Sequence, residues 1–292
     1  MELGIDIGGT SVKAAALDGK KLLWTGQSEF YSRPDTEALR AAIRQAVGGP
    51  VSQIDALGIC APGLFDASQG KITYAVNVPG VEGISLKQLV SEALGVVVGC
   101  ETVICNDAFA TALDVCLRRR NSGRLVVLTL GTGIGMSVLD EGRALAVEGE
   151  SPGHIGQIDV SIPGHDIVGP DGGAGGLEGY LGVAALRKKY GEDVSAAVEK
   201  FTGEEPAMLA LVRAIRIIHA IYRPNDVCLC GGIGIRLRHL LPTLRAKIET
   251  NLTNLARSGW TLATGEDIFH AARGAATIAA GGSRIAAKSA RS

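Results

Sequence analysis

Gly4-Ile5-Asp6-Ile7-Gly8-Gly9-Thr10-Ser11-Val12-Lys13 is the stretch on which the fold turns. An apolar run, Leu3 to Ile7, carries a single acid, Asp6. A glycine pair and a threonine follow, and a second apolar run extends from Val12 to Leu17. The pattern predicts a β-hairpin whose turn is stripped of side chains. Glycines let backbone N–H groups come close to a phosphate. Asp6 places a carboxylate in the same region, where it could hold Mg²⁺ through water. A strand acid beside such a loop suggests nucleotide-dependent phosphoryl transfer. An ordinary Gly-Gly hairpin turn is the plainer reading of these residues alone.

The motif repeats. Leu125-Val126-Val127-Leu128-Thr129-Leu130 reads as a strand, Gly131-Thr132-Gly133-Ile134-Gly135 as a turn, and Met136 to Leu139 as a returning strand. Two glycine-threonine hairpins about 120 residues apart suggest a duplicated fold, each half offering one phosphate clamp. The glycine spacing differs from G-x-G-x-x-G and no helix follows directly, so a Rossmann reading is weak.

Composition narrows the class. A chain of 292 residues, 46% hydrophobic and 20% charged, can fill one large or two medium cores. The net charge is −1, which argues against nucleic acid or membrane surfaces as partners. Arg118-Arg119-Arg120 ends a predicted helix, where cations suit the dipole. No apolar stretch reaches membrane-spanning length and no signal peptide is evident, so a cytoplasmic location is expected. Six cysteines lie mostly in apolar segments without C-x-x-C pairing, as expected for reduced, buried thiols. Cys228 and Cys230 share one face of a predicted strand and read as packing.

Strands are predicted near 2–7, 11–17, 20–29, 54–60, 102–105, 124–130, 134–140, 143–147 and 226–230. Helices are predicted near 35–47, 84–94, 107–120, 177–190, 193–201 and 204–222. The remainder reads as helical, near 235–257 and 266–281. Residues 61–83 read as irregular, and 149–175 as a long glycine-rich loop of the kind that builds sites. The fold class is α/β, a duplicated βββαβαβα arrangement. Domain one is expected over 1–110, with the last helix near 266–281 packing back on it. Domain two is expected over 111–265.

Asn106-Asp107 falls where a strand ends and a helix begins. It is either an N-cap or a general base at the carboxyl end of a strand, taking the proton of an attacking hydroxyl. Asn77-Val78-Pro79-Gly80 reads as a turn by default. Glu178 opens a helix, where an acid also serves the dipole. His154 and Gln157 lie in the long loop. Gly231-Gly232 follows a strand, either as a tight turn or as a backbone surface for a flat ring or a phosphate.

Taken in order, these residues resemble the ROK (repressor, open reading frame, kinase) family of sugar kinases, in the actin/hexokinase/Hsp70 superfamily. The resemblance is carried by Asp6 to Lys13, Ala61-Pro62-Gly63, Asn77 to Gly80, Asn106-Asp107-Ala108, Gly131 to Gly135, Gly175-Gly176-Leu177-Glu178 and Gly231-Gly232. It implies two ribonuclease-H-like domains with a cleft that closes over a sugar and Mg-ATP. By resemblance, Asp107 is the general base, and Asn77, Asn106, His154, Gln157 and Glu178 hold the acceptor. Gly8, Gly9, Thr10 and Lys13, with Gly131, Thr132 and Gly133, hold phosphates, and Gly231-Gly232 borders the adenosine. Asp6 is expected to hold Mg²⁺ through water. A homodimer is expected.

The chain also departs from the family. Where the family reads Ala-Gly-Glu-Ile-Gly-His, this chain reads Pro152-Gly153-His154-Ile155-Gly156-Gln157. Where it reads C-x-C-G-x-x-G-C-x-E, this chain runs from Gly169 to Glu178 without a cysteine. The four implied zinc ligands are replaced by Gln157, Gly169, Asp171 and Gly176, so no zinc is expected. The changed acceptor residues leave the sugar open. Two other readings are a non-catalytic sugar-sensing or interaction protein on the same fold, and a kinase using polyphosphate as donor. The intact Gly231-Gly232 segment favours ATP. The family's repressors carry an N-terminal DNA-binding domain, which is not expected here because the sequence opens on the first strand.

Overall fold

Alternation along β1 (Glu2–Ile7) sets the first sheet: Leu3, Ile5 and Ile7 are fully buried on one face, and Gly4 and Asp6 point to the other. The computed structural model describes residues 1–281 except 50, 52, 67–70, 76, 101, 148–150, 171 and 257–258. β1 pairs antiparallel with β2 (Val12–Asp18), which pairs antiparallel with β3 (Lys21–Gln27). α1 (Thr36–Val47) starts on Asp35, whose carboxylate accepts the Ala38 N–H, and ends on Gly48 in the left-handed region. β4 (Ala56–Cys60) joins β1 in parallel. The short pair β5 (Leu64–Asp66) and β6 (Lys71–Tyr74) follows, then α2 (Leu86–Leu94), capped by Ser85 and Gly95. β7 (Thr102–Cys105) pairs in parallel with β4 and leads into α3 (Asp107–Arg119). The sheet order is β3-β2-β1-β4-β7. Leu3, Ile5 and Ile7 share a core with Leu39 and Ile43 of α1 and Leu86 and Leu89 of α2.

The second sheet repeats this plan. β8 (Leu125–Leu130) and β9 (Ile134–Asp140) form the hairpin, and β10 (Arg143–Ala144) is a two-residue edge. Helices α4 (Leu177–Leu181), α5 (Val183–Tyr190), α6 (Val194–Val198) and α7 (Pro206–Tyr222) come next. β11 (Asp226–Cys230) pairs in parallel with β8. α8 (Gly231–Gly234), a 3₁₀ turn at Ile235–Leu240 and α9 (Leu241–Thr250) precede β12 (Thr261–Thr264), parallel to β11. The order is β10-β9-β8-β11-β12. Val126, Leu128, Leu130, Val227 and Leu229 form its core with Leu211, Ile215 and Ile218 of α7.

α10 (His270–Ala280) returns to the first sheet. It lies on the face opposite α1 and α2, and glycines allow it to sit very close. A Cβ added at Gly4 would come 1.8 Å from the Ala272 oxygen, and one at Gly58 would come 2.0 Å from that of Ala275. The chain forms two units, residues 1–114 with the segment from Phe269, and Val115–Ile268.

Four expectations need correction. Residues 61–83 are not wholly irregular: β5 and β6 pair within them, in runs too short to show a period. The strand expected at 143–147 is two residues long. The helix expected at 177–190 breaks at Gly182, because the Val183 N–H donates to the Gly131 oxygen instead of continuing the helix (3.1 Å). The stretch after β11 is not all helix: α9 ends at Thr250 and β12 closes the sheet. Thr261-Leu262-Ala263-Thr264 is too short and mixed to signal a strand, and its pairing with β11 decides its conformation.

Candidate active site

In the first unit, the β1–β2 register sets Asp6 directly opposite Lys13 on one face of the sheet. The Lys13 ammonium lies 3.4 Å from the Asp6 carboxylate, with both side chains largely buried. The 8–11 turn is closed by the Gly8 N–H donating to the Ser11 oxygen (3.0 Å). A Cβ on Gly8 would stand 3.5 Å from the Lys13 ammonium. Acid, ammonium and glycine loop are thus one structure.

Asn106 and Asp107 follow β7, two strands from β1. The Asn106 side-chain oxygen accepts the Phe109 N–H (3.0 Å), so the N-cap reading holds for Asn106. Asp107 accepts the N–H of Ala108 (2.8 Å). It keeps contact with solvent, yet enough protein surrounds it for desolvation to raise its carboxyl pKa. The Asp6 charge raises it further, and the Ala108 N–H and Lys13 oppose both. Asp6, Lys13 and Asp107 therefore form one electrostatic group. Asn77 is exposed in the turn after β6. No hydrogen bond or ion pair among the described residues ties its side chain to that group.

In the second unit, the 131–133 loop is held from several sides. The Gly131 N–H donates to the Gly133 oxygen (3.1 Å), and the Val183 N–H donates to that of Gly131. The Glu178 carboxylate accepts the Ile134 N–H (3.0 Å). Gly156 packs against the same carboxylate, where a Cβ would come within 3.0 Å. His154 and Gln157 flank Gly156 around a 3₁₀ turn, Ile155–Gln157, and both are exposed. Gly231 has φ +79, and a Cβ there would strike the Leu130 oxygen at 2.5 Å. Only glycine fits there, and it lays α8 against the start of the 131–133 loop. The structure thus gathers Gly131, Thr132, Gly133, Gly156, Glu178 and the Gly231-Gly232 pair at one end of this sheet.

The segment at the expected zinc positions is tied by its backbone. The Gly169 N–H donates to the Gly173 oxygen (2.7 Å), that of Gly175 to Ile167 (2.8 Å), and that of Val160 to Gly175 (2.9 Å). The Tyr180 hydroxyl accepts the Ile162 N–H (3.0 Å) and donates to the His165 oxygen (2.7 Å). Asp171 lies outside the described residues. Among the described residues, no cluster of three His, Cys, Asp or Glu side chains could hold a metal, and no helix is long and apolar enough to cross a membrane.

Sequence reasoning missed Tyr31. Its hydroxyl donates to the Gly8 oxygen (2.6 Å), and its backbone N–H donates to the Thr10 oxygen (2.9 Å). A lone tyrosine after an edge strand carries no periodic or motif signal.

Two five-stranded sheets of the same order, each with a glycine-threonine turn in its central hairpin, define a two-domain α/β protein of the actin/hexokinase class. A profile of the ROK family matches residues 2–281, and the chain belongs to that family. It is 26% identical to an N-acetyl-D-glucosamine kinase of Vibrio cholerae, over 80% of this chain and 84% of that one. It is 29% identical to a glucokinase of Halalkalibacterium halodurans over 59% of this chain, and the match spans only 51% of that relative. A ROK family glucokinase from Streptomyces griseus, solved with glucose and AMPPNP, shares the fold with a TM-score of 0.73. It is 21% identical, with 96% of this chain and 99% of that one covered.

Proposed function

We propose that the protein transfers the γ-phosphoryl group of ATP to a hydroxyl of a sugar or sugar-like polyol, with Asp107 as general base. The observation that carries this reading is the Asp6–Lys13–Asp107 group beside the glycine loop. One acid is paired to a cation and the other is held near solvent with a raised pKa. Such a difference in environment separates a metal-side carboxylate from a proton acceptor. Asp107 accepts the proton of the attacking hydroxyl as the oxygen–phosphorus bond forms. The bond from the γ-phosphorus to the bridging oxygen breaks, and ADP leaves.

Asp6 is a hard oxygen donor next to the phosphate loop, which suits Mg²⁺ held through water. When bound, that ion neutralises charge on the β- and γ-phosphates. Gly8, Gly9, Thr10 and Gly131, Thr132, Gly133 supply N–H and hydroxyl donors for phosphate oxygens, and Lys13 adds a positive charge. Gly231-Gly232 offers bare backbone to the adenosine. Glu178, Gln157 and His154, with Asn106 and Asn77, set the acceptor's hydroxyl pattern. Names of relatives that phosphorylate glucose and N-acetylglucosamine support a hexose or amino-sugar acceptor.

An ADP-release assay over hexoses, amino sugars and inositols, with ATP and with polyphosphate as donors, tests the reading. Acceptor-dependent ADP release is the expected result. No acceptor-dependent turnover with any sugar and either donor would favour a sensor instead.

A further inference from the structure

Gly8 and Gly9 join through the peptide with the least side-chain resistance to rotation in the first loop. Neither residue has a Cβ, so the 8–9 peptide plane can turn over at little steric cost. Its two polar groups are locked to each other all the same. A trans peptide is planar and holds its C=O and N–H in opposite directions. Whatever fixes the Gly8 oxygen therefore aims the Gly9 N–H.

That fixing group is Tyr31. Its hydroxyl donates to the Gly8 oxygen at 2.6 Å, the short end of the range for such bonds. Its backbone N–H donates to the Thr10 oxygen at 2.9 Å, so the same residue also sets the 10–11 peptide. Tyr31 is itself held by its neighbours. The Ser28 N–H donates to the Val12 oxygen (2.9 Å) and the Ser28 hydroxyl accepts the Val12 N–H (2.9 Å). The 28–31 segment is thus stitched to the start of β2. The Tyr31 ring is partly buried, and burial together with the Asp6 charge keeps its phenol protonated as a donor.

We propose that Tyr31 is a positioning residue for phosphoryl transfer: its hydroxyl holds the Gly8–Gly9 peptide in one orientation and so presents the Gly9 N–H to a nucleotide phosphate. This rests on the reading that the 8–10 loop binds phosphate. Without the hydroxyl, the loop keeps its closing bond from Gly8 to Ser11, but the 8–9 peptide samples both faces. Phosphate affinity then falls while the rest of the unit stays folded.

The test uses the full-length chain carrying Tyr31→Phe, which removes the hydroxyl and keeps the ring and the backbone bond to Thr10. Titration calorimetry measures the affinities of ATP and of AMP, each with Mg²⁺. ATP affinity is expected to fall roughly 5- to 20-fold, at or below the full loss of one hydrogen bond to a charged group, because the Gly9 N–H is disoriented and not removed. AMP affinity should stay within about twofold, because AMP lacks the β- and γ-phosphates. Equal weakening of both nucleotides would indicate a purely structural role and overturn the proposal. A loop variant, Thr10→Val, separates the two failures. If Thr10→Val weakens ATP and Tyr31→Phe does not, the positioning role is wrong and the phosphate loop stands. If neither variant changes ATP affinity, the loop does not bind phosphate, and the proposal falls with it.

Discussion

At Asp107 opposing influences meet. Desolvation and the Asp6 carboxylate push its pKa up, and Lys13 pulls it down. The active form of a general base is the carboxylate, so activity is lost as pH falls through the raised pKa. The acidic limb of kcat/KM should therefore lie above the ordinary carboxylate value of about 3.9. Lys13→Met should move that limb further up, since it removes a positive charge that opposes the rise. A pH–rate profile checks both, and a limb that is indifferent to Lys13 would contradict the assignment. His219 makes a different demand. It is 1% exposed on α7, edge-on to Trp260 at 4.4 Å, and burial lowers its pKa to about 4. The folded state holds it neutral, while the unfolded chain takes up a proton near its usual value of about 6.5. Its contribution is complete above about pH 6.5 and falls as pH drops toward 4, a loss of about 3 kcal/mol. Urea unfolding of wild type and His219→Leu at pH 7 and pH 4.5 reads it. The variant should lose much less stability on acidification, and equal losses would show that His219 is not the titrating group. Neither Tyr31 nor His219 stood out in the sequence, because each acts through partners distant in the chain.

Among the elements, α10 depends most on absent atoms. Gly4, Gly58 and Gly274 each meet a backbone oxygen where a Cβ would lie, at 1.8, 2.0 and 1.9 Å. Gly58→Ala should push α10 off the sheet and cost about 3 kcal/mol or more, at the upper end of overpacking. Gly49→Ala, with nothing within 4 Å of its added Cβ, is the control and should be near neutral. Thermal midpoints of the two variants decide the matter, and similar values would mean that α10 is not so tightly seated. The 159–176 segment makes the converse point. Among its described residues, backbone hydrogen bonds and the Tyr180 hydroxyl tie this segment together, and the residues at the implied ligand positions lead us to expect no zinc. Elemental analysis of untagged protein should give far less than one zinc per chain, and a stoichiometric value surviving chelator dialysis would refute this. Strong periods and caps made the two hairpins, α1, α2, α3 and α7 legible in the sequence. β5, β6 and β12 were not, because strands of three or four residues are set by their partners more than by their own pattern.

Across the molecule, duplication organises both sheets, β3-β2-β1-β4-β7 and β10-β9-β8-β11-β12. The two glycine-threonine turns announced it, since each occupies the same hairpin of its sheet. Motif order also indicated the family, which the profile match over residues 2–281 bears out. Spatial grouping was less legible. Asp6 and Asp107 are about a hundred residues apart in the sequence, and the parallel pairing of β1 with β4 and of β4 with β7 brings their strand ends to the same edge of the sheet, two strands apart. Glu178 shows the same limit: the sequence places it at a helix start, and the fold sets its carboxylate on the residue after the second loop. The central claim is that Asp107 takes the acceptor's proton. Turnover of Asp107→Asn with ATP and the best acceptor from the sugar screen tests it most directly, with ATP affinity measured on the same preparation. The account predicts a fall in kcat of roughly 10²- to 10⁴-fold with ATP binding retained. Near-normal turnover by a folded, ATP-binding Asp107→Asn would contradict it.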